Sequence, residues 1–432
     1  MPKKTCILII LLCLNALTAL GKDAEYPPLK PIDDSAEYRH FGNLLAFEPD
    51  WGVNSGTSNL IFANWALSSL QDNIVGIKWF NEDKVTGKLG GIFLRATKYA
   101  LLDVPRSHYI AVVDHEYFGH GARYRELDIG NIDYGFDAPP PYGDGGGHAT
   151  ASIDGSTITD HELIAIMTGG VESQMDINSD LNMRWLATKR IDFQDAIFYL
   201  TNARIWYDYI KGTSNDLDDG KDMSEYIKLI NGYAGYNDLD SLKMDLKYLK
   251  SKNHLNLINP FWAHSIYSIF KTYLYDGNET TSLKMIKFGG VEYLPSFKVT
   301  FTPFGLQYHF ENYIRFLNRF ALLNVKIGDS KFYSGWGGIG INCLNLIQHN
   351  SFSLDFNIDW WKQPGLEIGR ENPSIEGDGS GMAIFARGNL DLNRAESPLY
   401  AILKLGYKTA GYLEGYSMDS SPIIMIGIGI RN

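Results

Sequence analysis

Cysteine is nearly absent from this chain. Only three occur in 432 residues, and two of them, Cys6 and Cys13, fall in its first few turns, leaving Cys343 alone in the remainder. That excludes a small fold stapled by disulfides and a structural zinc site built from thiolates. Basic charge is scarce as well: 39 Lys and Arg stand against 50 Asp and Glu, a net charge of −11. No basic stripe stands out, which argues against a nucleic-acid partner. There is no Gly-x-Ser-x-Gly elbow, and Cys343 lies in a strand-like region, so no serine or cysteine nucleophile is indicated. The glycine-rich run Gly335 to Gly340 is followed by no helical pattern and is not a phosphate loop.

What is present begins with an export signal. Lys3 and Lys4 precede an apolar run from Cys6 to Leu20, and Ala19-Leu20-Gly21 has the small-x-small form of a cleavage site. Residues 1–21 therefore read as a signal peptide. An uncleaved anchor competes with that reading, but the run is short for a spanning helix. Leu12 before Cys13 speaks against a lipoprotein signal. Hydrophobic content of 45% and charged content of 21% belong to a globular or barrel protein, and the length suits two domains.

Residues 22–287 are mainly helical in pattern. Apolar residues recur at helical spacing in Ser58 to Gln71, Asp192 to Ile210, Met223 to Ile230 and Pro260 to Tyr275, with polar breaks at 212–216 and 276–278. Over residues 288–432 the period changes to two. Eight candidate strands follow, beginning with Phe297 to Thr302 and Leu306 to Glu311 and ending with Ile424 to Ile430. The fold class is thus α+β in two parts, a helical domain followed by an eight-stranded antiparallel β-barrel.

Alternation of this kind suits a soluble barrel or an outer-membrane barrel with an apolar outside and a polar lumen. The second is favoured. The polar positions carry full charges, among them Lys298, Glu311, Asp355, Asp359, Arg387 and Lys404. Connections near Asn318, Asn350 and 393–397 are short, and they alternate with longer ones. Short turns on the periplasmic side are the outer-membrane habit, and the start of the first strand then puts the helical domain in the periplasm. Aromatics near strand ends, including Tyr293, Phe304, Tyr313, Trp336, Trp360, Trp361, Tyr400, Tyr407 and Tyr412, fit interfacial girdles. The last strand lacks a terminal aromatic. Outer-membrane lipid is accordingly an expected partner.

The chemistry sits in His115-Glu116-Tyr117-Phe118-Gly119-His120. Two imidazoles flanking a glutamate on a helix are the core of a zinc-hydrolase site, normally at a spacing of four. Here the spacing is five. On a regular α-helix five residues turn about 500°, so the rings would diverge by roughly 140°. A π-bulge absorbs one residue and realigns them, and Gly119 is where such a distortion is easiest.

This His-Glu-x-x-x-His pattern, with glycine on each side of the second histidine, resembles the motif of the dipeptidyl peptidase III family of zinc peptidases. The resemblance covers His115 to Gly121 and does not extend over the chain. It implies a gluzincin-like zinc peptidase acting on peptide or protein substrates. His115 and His120 are expected as zinc ligands, and Glu116 as the general base for the attacking water. A catalytic site needs a third protein ligand, and Glu172 is the expected one. It lies on a helix beginning near Thr159, where Gly169 and Gly170 would allow close approach to the first helix. Glu162 is a rival, although Thr159 and Glu162 have the capping-box form. His148 and His161 are further candidates. Tyr142 and His148 compete as oxyanion donors with a plain surface loop, and Asp114 as an orienter of a ligand imidazole. Arg123, Arg125 and Glu126 read as a charged helix end or a substrate clamp. A zinc amidase or esterase, and a barrel protein whose helical domain binds partners without catalysis, remain as alternatives.

Overall fold

A computed structural model describes residues 42–431 except 50, 76–84, 154, 156–157, 219, 317–318, 350, 369–373, 377–378 and 393–397. The signal-peptide reading and the turn positions Asn318, Asn350 and 393–397 lie outside the described residues.

Strand β1 (Gly42–Phe47) leads into helix α1 (Val53–Val75). Helices α2 (Val85–Lys98), α3 (Val104–Val113) and α4 (Gly121–Glu126) follow, joined end to end by π-helical stretches at Tyr99–Asp103 and Asp114–His120. A hairpin of β2 (Asp133–Phe136) and β3 (Gly147–Thr150) precedes α5 (Asp160–Thr188). Short β4 (Arg190–Asp192) comes next, then α6 (Phe193–Lys211), α7 (Asp222–Tyr233), α8 (Leu246–Asn253) and α9 (Pro260–Ile266), which runs on as a π-helix over Tyr267–Tyr275. After β5 (Thr280–Ser282) and β6 (Ile286–Phe288) come the long strands β7 (Val291–Thr302), β8 (Gly305–Phe316), β9 (Arg319–Asp329), β10 (Gly337–His349) and β11 (Phe352–Lys362). A small hairpin, β12 (Leu366–Ile368) and β13 (Ser374–Glu376), separates these from β14 (Ser380–Asp391), β15 (Leu399–Lys408) and β16 (Ser421–Arg431).

The helix signals in the sequence correspond to real caps. Thr159 and Glu162 form the reciprocal capping box that starts α5, and the Asp192 side chain accepts from Gln194 N at the start of α6. Helix α5 has little amphipathicity because it is central. It packs against the π-helical stretch at 114–120 and against α1, α6, α7 and β7, and most of its residues are buried.

All eight expected strands form, in one antiparallel sheet of ten ordered β1-β16-β15-β14-β11-β10-β9-β8-β7-β6. It is not the closed eight-stranded barrel expected from the pattern. Among the described residues β16 pairs on its free side with β1, from the chain's N-terminal part, while β7 pairs with β6. The reason is what fills the middle. An eight-stranded barrel has room for side chains only, whereas a helix with its side chains is about 10 Å across. Helix α5 lies along the sheet's polar face: Lys298 Nζ donates to Ser179 Oγ (3.0 Å), and Arg184 donates to Asn43 Oδ1 (2.9 Å). A polar cavity of about 200 Å³ remains between them. Helices flank the sheet toward both of its ends, with α1 packed on β1 and α9 on β7.

Charges of opposite sign pair on the inner face, Lys326 with Asp359 (2.8 Å) and Arg387 with Asp355 (2.7 Å). The aromatic girdle is largely not formed. Phe304, Tyr313, Trp336, Trp361, Tyr400 and Tyr412 are buried in cores, which leaves Trp360 and Tyr407 as exposed rings. The connections after β7, β9, β11 and β15 gather at one end of the sheet. The two longest, after β11 and β15, pack on the helices that carry the site: Gly415 N donates to Glu172 Oε1 (2.7 Å), and Glu367 N donates to His161 Nδ1 (3.1 Å).

Candidate metal centre

The apolar segment Ile110-Ala111-Val112 buries α3 against the helical core, and the helix then widens into π geometry from Asp114 to His120. In a π-helix residue i bonds to i+5, so residues five apart stand one above the other. His115 and His120 accordingly share a face, with ring centroids 4.8 Å apart and Nε2 atoms 3.2 Å apart. The distortion is held by glycine contacts. A Cβ on Gly119 would lie 2.5 Å from Gly170 Cα, so the π-helical stretch and α5 touch backbone to backbone. Ser173 Oγ donates to the Asp114 carbonyl (3.3 Å), and Gln174 Nε2 to that of Ala111 (3.5 Å). Side chains of α5 thus satisfy carbonyls at the α-to-π junction.

The third donor comes from elsewhere. Asp222, the first residue of α7, places Oδ2 at 3.1 Å from His115 Nε2 and 3.0 Å from His120 Nε2. His115, His120 and Asp222 form a group that can hold a metal ion. The fit to a small tetrahedral cation is good. Donor atoms about 2.05 Å from zinc at tetrahedral angles are about 3.3 Å apart, close to the three edges observed. Two imidazoles and a carboxylate supply three donors and leave a fourth tetrahedral position free.

Neighbours orient these donors. His120 Nδ1 lies 2.6 Å from the Ile166 carbonyl, a contact that needs the proton on Nδ1 and turns Nε2 toward the cluster. Tyr209 donates its hydroxyl to Asp222 Oδ2 (3.0 Å) and accepts from Asp222 N (3.2 Å). The electrostatics favour positive charge here. Burial opposes charging of His120, but the Asp222 and Glu116 carboxylates outweigh it and raise the imidazole to about 9. Burial acts against the Asp222 carboxylate too, yet His120 and His115 hold it well below the usual range. Burial, with Asp222 beside it, raises the Tyr209 phenol.

Glu116 is buried beside His115, under the β2–β3 hairpin: a Cβ on Gly147 would lie 2.8 Å from Glu116 Cγ. Glu172, the expected third ligand, is not in the cluster. Its carboxylate is bound by the Arg123 guanidinium (Nε to Oε2, 3.1 Å) and by Gly415 N, which ties the long connection after β15 to α5. Asp114 sits beside Ser173 and Asp176, away from a ligand-orienting position, and burial raises its carboxyl well above the usual range. His161 is enclosed by Tyr233 and Phe304, and burial lowers it to about 4. His148 is exposed on β3, 3.5 Å from Asp133, and the Tyr142 hydroxyl donates to the Leu101 carbonyl. Arg123 pairs with Glu126 as well as Glu172, and Arg125 donates to Tyr134 and to the Trp51 carbonyl, so this helix end is packed and not solvated.

Asp222 was missed by sequence reasoning. An acid in the first turn of a helix reads as a complement to the helix dipole, and nothing local distinguishes it from Asp160 or Asp195. The pair Tyr209–Asp222 spans a polar break and likewise has no local signature. No family model, curated protein or solved structure matches the chain.

Proposed function

We propose that the chain is a zinc-dependent hydrolase of the cell envelope, a peptidase in which His115, His120 and Asp222 hold the metal and Glu116 is the general base. The observation that carries this reading is the triangle of donor atoms, 3.0 to 3.2 Å on each side, with a buried glutamate next to one vertex. A zinc ion held there supplies Lewis acidity toward a carbonyl and toward water. His120 donates Nδ1–H to Ile166, which directs Nε2 to the metal position. Tyr209 keeps Asp222 aimed at the imidazoles. Glu116 takes a proton from the attacking water and returns it to the leaving amine. The lengthened motif from His115 to Gly121, which resembles that of the dipeptidyl peptidase III family, supports peptide over other acyl substrates. Glu116→Gln is expected to keep the metal and lose at least about 100-fold in hydrolysis of a peptide library. Full activity in that variant would remove Glu116 from the mechanism.

A further inference from the structure

The C-terminal sheet is inverted relative to a sheet that faces water. Its inner face buries Lys298, Glu311, Lys326, Asp355, Asp359 and Arg387 or holds them in pairs, while its outer face exposes Phe310, Ile341, Ile384, Leu403, Leu405 and Ile426. The apolar residues meet across strands, as in Ile384↔Tyr407, Leu403↔Ile426 and Leu405↔Ile424, so the outer face is continuous. An antiparallel sheet in water does the opposite, burying the apolar set and solvating the charges.

We propose that this outer face is set in a lipid bilayer, with the metal centre at the long-connection side of the membrane. Three observations favour lipid over a second copy of the chain. First, the apolar face runs over β8, β9, β10, β11, β14, β15 and β16 of the large sheet, more than the single patch of about 300–600 Å² that a soluble monomer typically exposes. Second, exposed apolar side chains also stand on the helices: α1 exposes Leu70 and Ile74, α2 exposes Leu89 and Phe93, and the π-helix after α9, which packs against α2, exposes Phe270. A belt on both sheet and helices matches a surrounding solvent, whereas a dimer covers one side. Third, the strands have the right length. The eleven residues of β16 extend about 36 Å, enough when tilted to cross an apolar layer of about 25 Å. Among the described residues no helix is long and apolar enough to cross a membrane, so the strands are the embedded part.

The side follows from the connections. Those after β11 and β15 are the longest in the sheet and pack on the helices bearing the metal centre, through Glu367 N with His161, Gly415 with Glu172 and Met418 N with Glu126. The connections from β8 to β9 and from β10 to β11, at the other end, are short. In outer-membrane proteins short turns face the periplasm. The metal centre then opens to the exterior, opposite to the side inferred from strand order alone. This inference does not rest on hydrolytic activity.

The test uses the full chain mixed with phosphatidylcholine vesicles without detergent. The protein is expected to float with the vesicles, and brominated phosphatidylcholine is expected to quench the part of the emission that is lost in Trp360→Phe, since Trp360 stands exposed on the outer face. The pair Ile384→Arg and Leu403→Arg is expected to lower flotation at least tenfold. Wild-type protein that stays soluble without lipid, as a monomer or as a dimer through this face, with Trp360 unquenched, overturns the proposal. For the side, Ser334→Cys and Ser351→Cys are made together in one chain with Cys6, Cys13 and Cys343 changed to Ser. An impermeant maleimide added outside sealed vesicles is expected to label every chain once, read by mass spectrometry of the intact protein. Chains carrying two labels beside chains carrying none overturn the assignment of opposite sides.

Discussion

Gly170 lies against the ring of His115, so closely that a Cβ at position 170 would sit 2.4 Å from His115 Nε2. The site is therefore defined as much by an absent side chain as by the ligands. Helix α5 reaches the π-helical stretch only because Gly119 and Gly170 meet without one.

Replacing that hydrogen with a methyl tests the relationship. Gly170→Ala is expected to push the His115 ring away from Asp222 and weaken zinc binding at least tenfold, at a cost to stability of about 1–3 kcal/mol. Gly155→Ala, at a position with open space around it, is the control and is expected to change neither. Competition with a chromophoric chelator reads the affinity.

Glu172 is expected to behave as a structural residue. Its carboxylate and Arg123 are both almost fully buried, and removing one partner of such a pair costs about 3–5 kcal/mol. Glu172→Gln should thus lower the denaturation midpoint markedly and leave the metal stoichiometry unchanged. Loss of metal from a folded Glu172→Gln protein would return Glu172 to the ligand set.

These two outcomes bear on what the sequence made legible. The π-distortion was readable because a spacing of five cannot align two imidazoles on an α-helix, and Gly119 and Gly169-Gly170 marked the close approach. The eight strands were readable from their alternation. The third ligand was not, because Asp222 is 102 residues from His120 and reaches the site only through tertiary packing of α7. Glu172 was drawn in by the glycines before it, and those glycines serve His115 and Gly119 instead. Closure of the barrel was misread for a similar reason. The alternation of the strands carries no information about α5 occupying the interior or about β1 taking the free edge of β16.

His161 gives the chain an acid-sensitive point remote from the metal. Burial holds its imidazole at about 4 when folded, against an ordinary value of 6.5. Between those values the unfolded chain binds the proton and the folded one does not, so stability is full above about pH 6.5 and falls as the pH drops toward 4. The loss from this group is about 3 kcal/mol. Urea denaturation of wild type and His161→Gln at pH 7 and pH 4.5 should show a smaller pH-dependent loss in the variant. Equal losses in the two would remove His161 as the source.

The central claim is the ligand set, and metal content tests it most directly. Purified wild type, His115→Ala, His120→Ala, Asp222→Ala and Glu172→Gln are dialysed against trace zinc and analysed by plasma mass spectrometry, with folding checked by circular dichroism. The account predicts one zinc per chain in wild type and in Glu172→Gln, and far less than one in each of the other three. A well-folded wild type without bound metal, or an Asp222→Ala protein that keeps its zinc, would contradict it.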